Sequence, residues 1–137
     1  MAYNPYAKYA TQSVMTMTKG EMLAKLYEAL IKNMRLGVLG IEQNDVAATN
    51  QHLQKAQSII TYLVSTLDRK YPISNNLLAL YDFFNRQIIA ANVKKDAEMI
   101  NEIIPLVEEL RATFIDADRL ARAGSSQASG MGLSAIG

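Results

Sequence analysis

Cysteine and tryptophan are absent from the 137 residues, histidine occurs once, and neither sign of charge is in excess. Without cysteine there is no disulfide framework, no thiol nucleophile and no thiolate metal site; the absence fits a reducing compartment. The charge balance, 14 Lys and Arg against 13 Asp and Glu, excludes a strongly basic nucleic-acid binder and an acidic disordered tail as readings of the whole chain. Long apolar runs are missing too. The longest, Leu77 to Tyr81, falls far short of the roughly 20 residues that span a bilayer. The start, Met1-Ala2-Tyr3-Asn4-Pro5-Tyr6, lacks the apolar stretch of roughly 7–15 residues that a secretory signal needs. A soluble, cytoplasmic protein with no membrane insertion and no nucleic-acid partner is expected.

Glycine and proline are also scarce, and their positions divide the chain. Four of the 7 glycines fall within residues 124–137, a stretch of mostly Gly, Ser and Ala without a charged side chain. Such a tail is expected to be flexible. Residues 1–17 form a second distinct segment, with Tyr3, Tyr6, Tyr9 and Pro5 but no long apolar periodicity. Between them, residues 18–123 read as helix throughout.

Half of the sequence is nevertheless apolar. Part of that is alanine, which can fill long helices without needing burial; the rest recurs with helical spacing. The first helix is expected over about residues 18–42. Thr18-Lys19-Gly20-Glu21 has the capping-box form, and Met22/Leu23, Leu26/Tyr27, Leu30/Ile31, Met34, Val38 and Ile41 follow at steps of three and four. Gly37 and Gly40 are expected to weaken its last turns. The second, about 45–70, carries Val46, Thr49, Leu53, Ala56, Ile60, Leu63 and Leu67 as a heptad seam, the pattern of helices packed at shallow angles. Tyr71-Pro72 should end it, since the residue before proline is driven from the helical region. Ser74 is expected to cap a third helix, about 74–92, with Asn92 to Lys95 as a short connection. Asp96 should cap a fourth, about 96–122, whose Ile100, Ile103, Val107, Leu110, Phe114, Ala117 and Ala121 form another seam. Pro105 interrupts that helix and predicts a kink near Asn101 to Pro105, because proline removes a hydrogen bond and crowds the preceding turn. Four helices with short connections predict an all-α fold, an antiparallel four-helix bundle.

Catalytic constellations are hard to find in this pattern. A di-iron carboxylate bundle needs two Glu-x-x-His pairs, and the lone His52 has Thr49 three residues before it. One histidine leaves little for a nucleophilic triad, and Gly37-Val38-Leu39-Gly40 lacks the spacing of a phosphate loop. The acidic residues of the fourth helix (Glu98, Glu102, Glu108, Glu109, Asp116, Asp118) read most simply as a solvated face. No enzyme activity, cofactor or metal is expected. What remains is surplus apolar surface. Ile59, Tyr62 and Val64 lie beside the second seam, and Leu78, Phe83 and Ile89 lie outside the narrowest stripe of the third helix. Large exposed patches mark partner sites, while a wide stripe also suits core packing; the residues alone leave both open. Tyr3, Tyr6 and Tyr9 repeat every three residues, so a helical turn would present one aromatic edge suited to a contact that is alternately buried and wet.

Taken together, these pieces resemble a known family. Asn4-Pro5-Tyr6-x-x-Tyr9, Val14, and Thr18-Lys19-Gly20-Glu21 leading into Leu26-Tyr27-Glu28 resemble the start of the flagellar secretion chaperones (FliS). Lys55-Ala56-Gln57-x-Ile59-Ile60, Leu63 and Thr66-Leu67-Asp68 are similar to that family's second helix. Leu80-Tyr81-Asp82-Phe83 with Arg86, Ala91-Asn92 and Asp96 resemble its third helix and turn, and Leu110-Arg111-x-x-Phe114 its closing motif. Phe114 stands where the family usually has tryptophan. The resemblance implies a cytoplasmic export chaperone that binds the disordered C-terminal segment of flagellin, prevents premature polymerisation and delivers it to the flagellar export gate. It implies that residues 1–17 cover part of the client surface, with Tyr6, Tyr9 and Val14 as cover and groove-edge residues. Ile59, Tyr62 and Leu63 would form the client face, with Lys55 and Gln57 as its polar rim. A homodimer of the client-free chain is a further expected partner. The other reading is a non-catalytic bundle that self-associates in a structural or regulatory role.

Overall fold

Residues 17–124 are described by a computed structural model, in which helices α1 (Lys19–Glu42), α2 (Val46–Ser65), α3 (Ile73–Lys94) and α4 (Ala97–Gly124) pack side by side. Each start and stop has a local cause. Thr18 adopts an extended backbone (φ −72°, ψ 164°) before α1, and the expected capping box is complete. Its hydroxyl accepts the Glu21 N–H at 3.0 Å while the Glu21 carboxylate accepts the Thr18 N–H at 3.3 Å. These bonds satisfy donors that a helix start leaves without intrahelical partners. Asp45 caps α2 by accepting the Ala48 N–H at 3.0 Å. Asn44 and Lys95, at φ 56° and φ 54°, make the left-handed turns that close the α1–α2 and α3–α4 connections.

Three helix boundaries differ from the sequence expectation. α2 ends at Ser65, well before Tyr71-Pro72. The Ser65 and Thr66 hydroxyls donate to the Tyr62 and Leu63 carbonyls, and the Thr66 and Leu67 amides drop to partners three residues back. Short hydroxyl side chains offer the backbone this alternative to helix continuation. Asp68 then accepts the Lys70 N–H at 3.0 Å and turns the chain. At the start of α3 it is Pro72, not Ser74, that occupies the capping position; its φ of −57° already suits a helix. Ser74 lies buried in the first turn and donates to the Tyr71 carbonyl at 2.8 Å. At its other end α3 runs on to Lys94, leaving Lys95 and Asp96 as the connection. Asp96 accepts the Glu98 N–H at 3.0 Å at the start of α4. That helix continues unbroken through Pro105. The proline sits on the exposed face beside exposed Asn101, where water can reach the carbonyl that lacks its donor.

Cross-helix pairs establish the antiparallel order. Along α1 and α4, Thr18 meets Asp118, Glu28 meets Arg111 and Arg35 meets Glu108. Gly40 faces Thr49 and Gly37 faces Leu53 across α1 and α2. The Lys95 ammonium at the end of α3 donates to Asn50 near the start of α2. α1 touches α2 and α4, and α3 closes the square against the same two helices. The centre holds Leu26, Tyr27, Leu30 and Met34 from α1, with Leu53, Ala56, Ile59, Ile60 and Leu63 from α2. Leu77, Tyr81, Phe84 and Ile88 come from α3, and Ile100, Ile103, Val107 and Phe114 from α4. The seams are therefore core; their ends are not, since Val46 is exposed and Leu67 is half-buried.

Gly37 and Gly40 have a role that helix propensity alone misses. Both are buried, and α1 passes through them to Glu42. A Cβ on Gly37 would stand 2.3 Å from Leu53 Cδ2, and one on Gly40 would stand 2.9 Å from the Thr49 backbone nitrogen. The two glycines let α2 approach α1 closely at this end, and Leu53 fills the space.

Across the core, the hydroxyls of Tyr27 and Tyr81 hydrogen-bond to each other. The Tyr27 ring also packs at 5.4 Å from that of Phe114, so it touches both opposite and adjacent helices. Burial pushes both hydroxyls above the ordinary 10.0, Tyr81 to about 12 and Tyr27 further still. A raised folded-state value means that the folded chain holds these protons more tightly than the unfolded one. The resulting stability is fully present below pH 10.0 and is lost as the pH climbs through about 12. Absorbance titration should therefore show Tyr27 and Tyr81 ionising only as helical circular dichroism collapses.

Candidate partner-binding surface

The eight residues singled out from sequence separate into three groups. Tyr6, Tyr9 and Val14 lie outside the described residues. Lys55, Gln57 and Tyr62 are half-buried on α2. Ile59 and Leu63 are not surface residues at all; both are fully buried among the core side chains. This corrects the expected client face. Ile59 stands one turn from both Lys55 and Leu63, and its β-branched side chain widens the buried stripe of α2 rather than projecting from it.

Helical geometry also separates the proposed rim. At about 100° per residue, Tyr62 lies about 20° from Lys55, whereas Gln57 lies about 160° from it. Lys55 and Tyr62 thus share an edge of α2 and Gln57 belongs to another. Tyr62 packs against the core cluster, and desolvation raises its hydroxyl above the usual value.

Exposed apolar area lies mainly on α3. Of the three residues read as surplus there, Phe83 and Ile89 are exposed and Leu78 is half-buried. The structure adds Ile73 and Leu80, which with Phe83 occupy an arc of about 80° on one side of α3. Leu106 on α4 is exposed as well. Phe83 keeps 39 % of its surface in water although its ring lies 6.1 Å from that of buried Phe84. Spacing alone does not separate Leu80 from Tyr81, because either neighbour fits an apolar stripe with Leu77, Phe84 and Ile88. Tyr81 takes the buried place, with its hydroxyl bonded to Tyr27.

The α1–α4 side has a different character. An open cleft of about 490 Å³ lies there, with Gly20, Ala24, Ile115 and Asp118 among its lining residues. Its charges pair across the seam: Arg111 with Glu28 at 3.5 Å, Arg122 with Glu21 at 3.6 Å and, further along, Arg35 with Glu108 at 2.8 Å. Most of the acidic residues of α4 are exposed, but Asp118 is not; it is buried between Thr18 and Arg122. His52 is half-buried on α2, and among the described residues no cluster of His, Asp or Glu is arranged to hold a metal ion. The arrangement offers apolar surface for association and mutually neutralised charge.

The family model for the flagellar protein FliS matches residues 2–121, which takes in all four helices except the last residues of α4. The chain belongs to the FliS family. It is 38% identical over 125 residues to the flagellar secretion chaperone FliS of Bacillus subtilis, covering 89% of this chain and 94% of that one. The Salmonella typhimurium protein of the same name is 31% identical over 109 residues, covering 77% of this chain and 81% of its own length. The Vibrio cholerae protein is 28% identical over 112 residues, with coverage of 80% and 82%. FliS is a chaperone family and not an enzyme family, and membership gives the apolar surface of α3 a context. No described helix is long and apolar enough to cross a membrane.

Proposed function

We propose that this FliS-family protein is a cytoplasmic export chaperone that binds the disordered C-terminal segment of flagellin, keeps it from polymerising and brings it to the flagellar export gate. The observation that carries this reading is the family match over residues 2–121, supported by relatives named as flagellar secretion chaperones. Physical chemistry fits the role. A client that folds on binding loses several kcal/mol to ordering and needs extensive apolar burial in return. The Ile73–Leu80–Phe83 edge of α3 supplies such surface, laid out as an amphipathic client helix requires. Lys55 and Tyr62 remain proposed contacts from the edge of α2, and Gln57 a contact on its other side. Tyr6, Tyr9 and Val14 are proposed as a cover that shields apolar surface when no client is bound. The near-neutral net charge suits capture by burial more than by electrostatic steering.

Calorimetry with a peptide of the flagellin C-terminal segment tests this. Saturable binding with a negative heat-capacity change is expected, and Phe83→Asp should weaken it at least about tenfold, because a carboxylate would be buried without a partner. No binding heat to the folded chain at micromolar concentrations would overturn the reading. The same apolar edge is the proposed contact of a client-free homodimer, which sedimentation would show as mass rising with concentration and falling when peptide is added.

A further inference from the structure

The outward ridge of α3 lacks the charge that α1 and α4 show to water. Ala79, Asp82, Phe83, Arg86, Ile89 and Val93 are all exposed and share an arc of about 120°. Only two of these six are charged, whereas α1 turns Lys25, Glu28, Lys32 and Arg35 outward and α4 turns Glu98, Glu102, Glu109 and Asp116. Phe83 and Ile89 leave 39% and 43% of their surfaces uncovered, and Val93 leaves 80%. Apolar side chains gathered in this way on one helix face mark a contact.

The two charges show what fits there. Asp82 and Arg86 stand one turn apart and pair within the helix at 3.1 Å, yet their side chains remain 60% and 71% exposed. A second α3 laid on this ridge in the same direction and at the same level would set Asp82 against Asp82 and Arg86 against Arg86, which is unfavourable. Laid antiparallel, about a two-fold axis level with Phe84, it sets each Asp82 against the Arg86 of the second copy. Contacts about a two-fold axis have this reciprocal form, residue i touching j while j touches i. The same axis brings the two Phe83 side chains to one side of the seam. It also sets each Ile89 beside the Ala79 of the other copy, whose small side chain leaves room for it. We propose that the outward ridge of α3 is a two-fold, antiparallel interface between copies of this chain, with Asp82 and Arg86 fixing its register. The proposal deepens the client-free homodimer described above and rests on it. Phe83 is then common to both contacts, so a second copy and a client exclude each other.

Sedimentation equilibrium of the full chain tests this with charge reversals at exposed positions, circular dichroism confirming that each variant keeps its helices. Asp82→Arg places two arginines at each crossing, and Arg86→Asp places two aspartates there. Either change alone should raise the dimer dissociation constant at least about tenfold. An equimolar mixture of the two variants restores opposite charges at both crossings, and so does the double variant Asp82→Arg/Arg86→Asp. Both should associate within about threefold of the native chain, and the loss in the single variants should shrink at high salt. A native chain that stays monomeric overturns the proposal and leaves the chaperone reading standing. Single variants that associate like the native chain also overturn it, as does a mixture that stays apart. A monomeric native chain whose affinity for the flagellin peptide falls on either reversal would assign the ridge to the client alone. Failure of the peptide to bind overturns the chaperone reading and leaves the interface between copies standing.

Discussion

Replacing Gly40 with alanine is expected to lower the thermal midpoint by roughly 8 °C, although alanine is the better helix former. Propensity alone predicts a gain of about 1 kcal/mol for such a change within a helix. Packing opposes it. The new methyl group would meet the Thr49 backbone nitrogen at 2.9 Å and its Cα at 3.1 Å, and backbone cannot move aside as a side-chain tip can. Overpacking of this kind costs about 1–3 kcal/mol. Because the clash is with backbone where the two helices approach most closely, the upper end of that range applies. The net loss is about 2 kcal/mol, which gives the stated shift for a domain of this size. Gly124 is the internal control, since nothing lies within 4 Å of its Cβ position; Gly124→Ala should leave the midpoint unchanged or slightly higher. A rise in midpoint for Gly40→Ala, read by calorimetry or circular dichroism, would show that the two helices do not depend on this close approach.

The second large effect is a failure of additivity. Tyr27→Phe leaves the Tyr81 hydroxyl buried without its partner, and Tyr81→Phe does the same to Tyr27. Each single change should cost about 2 kcal/mol, the loss that follows when one buried polar group is left unsatisfied. Changing both removes the pair and the need for it. The double variant should therefore lie within about 1 kcal/mol of the native chain, a coupling that a double-mutant cycle reads directly from denaturant unfolding. Simple addition of the two losses would mean that neither hydroxyl depends on the other.

Helix number, order and most of the core were legible in the sequence because burial in a bundle repeats every three or four residues. Leu53, Ile60 and Leu63 on α2 and Ile100, Ile103 and Val107 on α4 all lie where their spacing puts them. What spacing does not carry is the width of a stripe. Ile59 and Phe83 both stand beside a seam, yet one is buried and the other exposed, and the difference depends on how closely the neighbouring helix approaches. Glycine is misread for the same reason. Gly37 and Gly40 are weak points for an isolated helix, but between two helices they are the place of closest approach. Asp118 belongs to this class as well. In an acidic run it reads as solvated, and only the first turn of α1 lying over it makes it buried. The candidate surface was accordingly less legible than the fold. Its apolar character was visible, while the helix that displays it was not.

The Thr18–Asp118 hydrogen bond places the start of α1 beside the end of α4, so both ends of the described bundle lie at the same pole. The opposite pole carries only the tight turns through Asn44 and Lys95. The helical core is thus arranged as a nearly closed loop of chain, in which a short linker from the end of α4 to Thr18 and a cut at Asn44 would give a circular permutant with its new ends at the far pole.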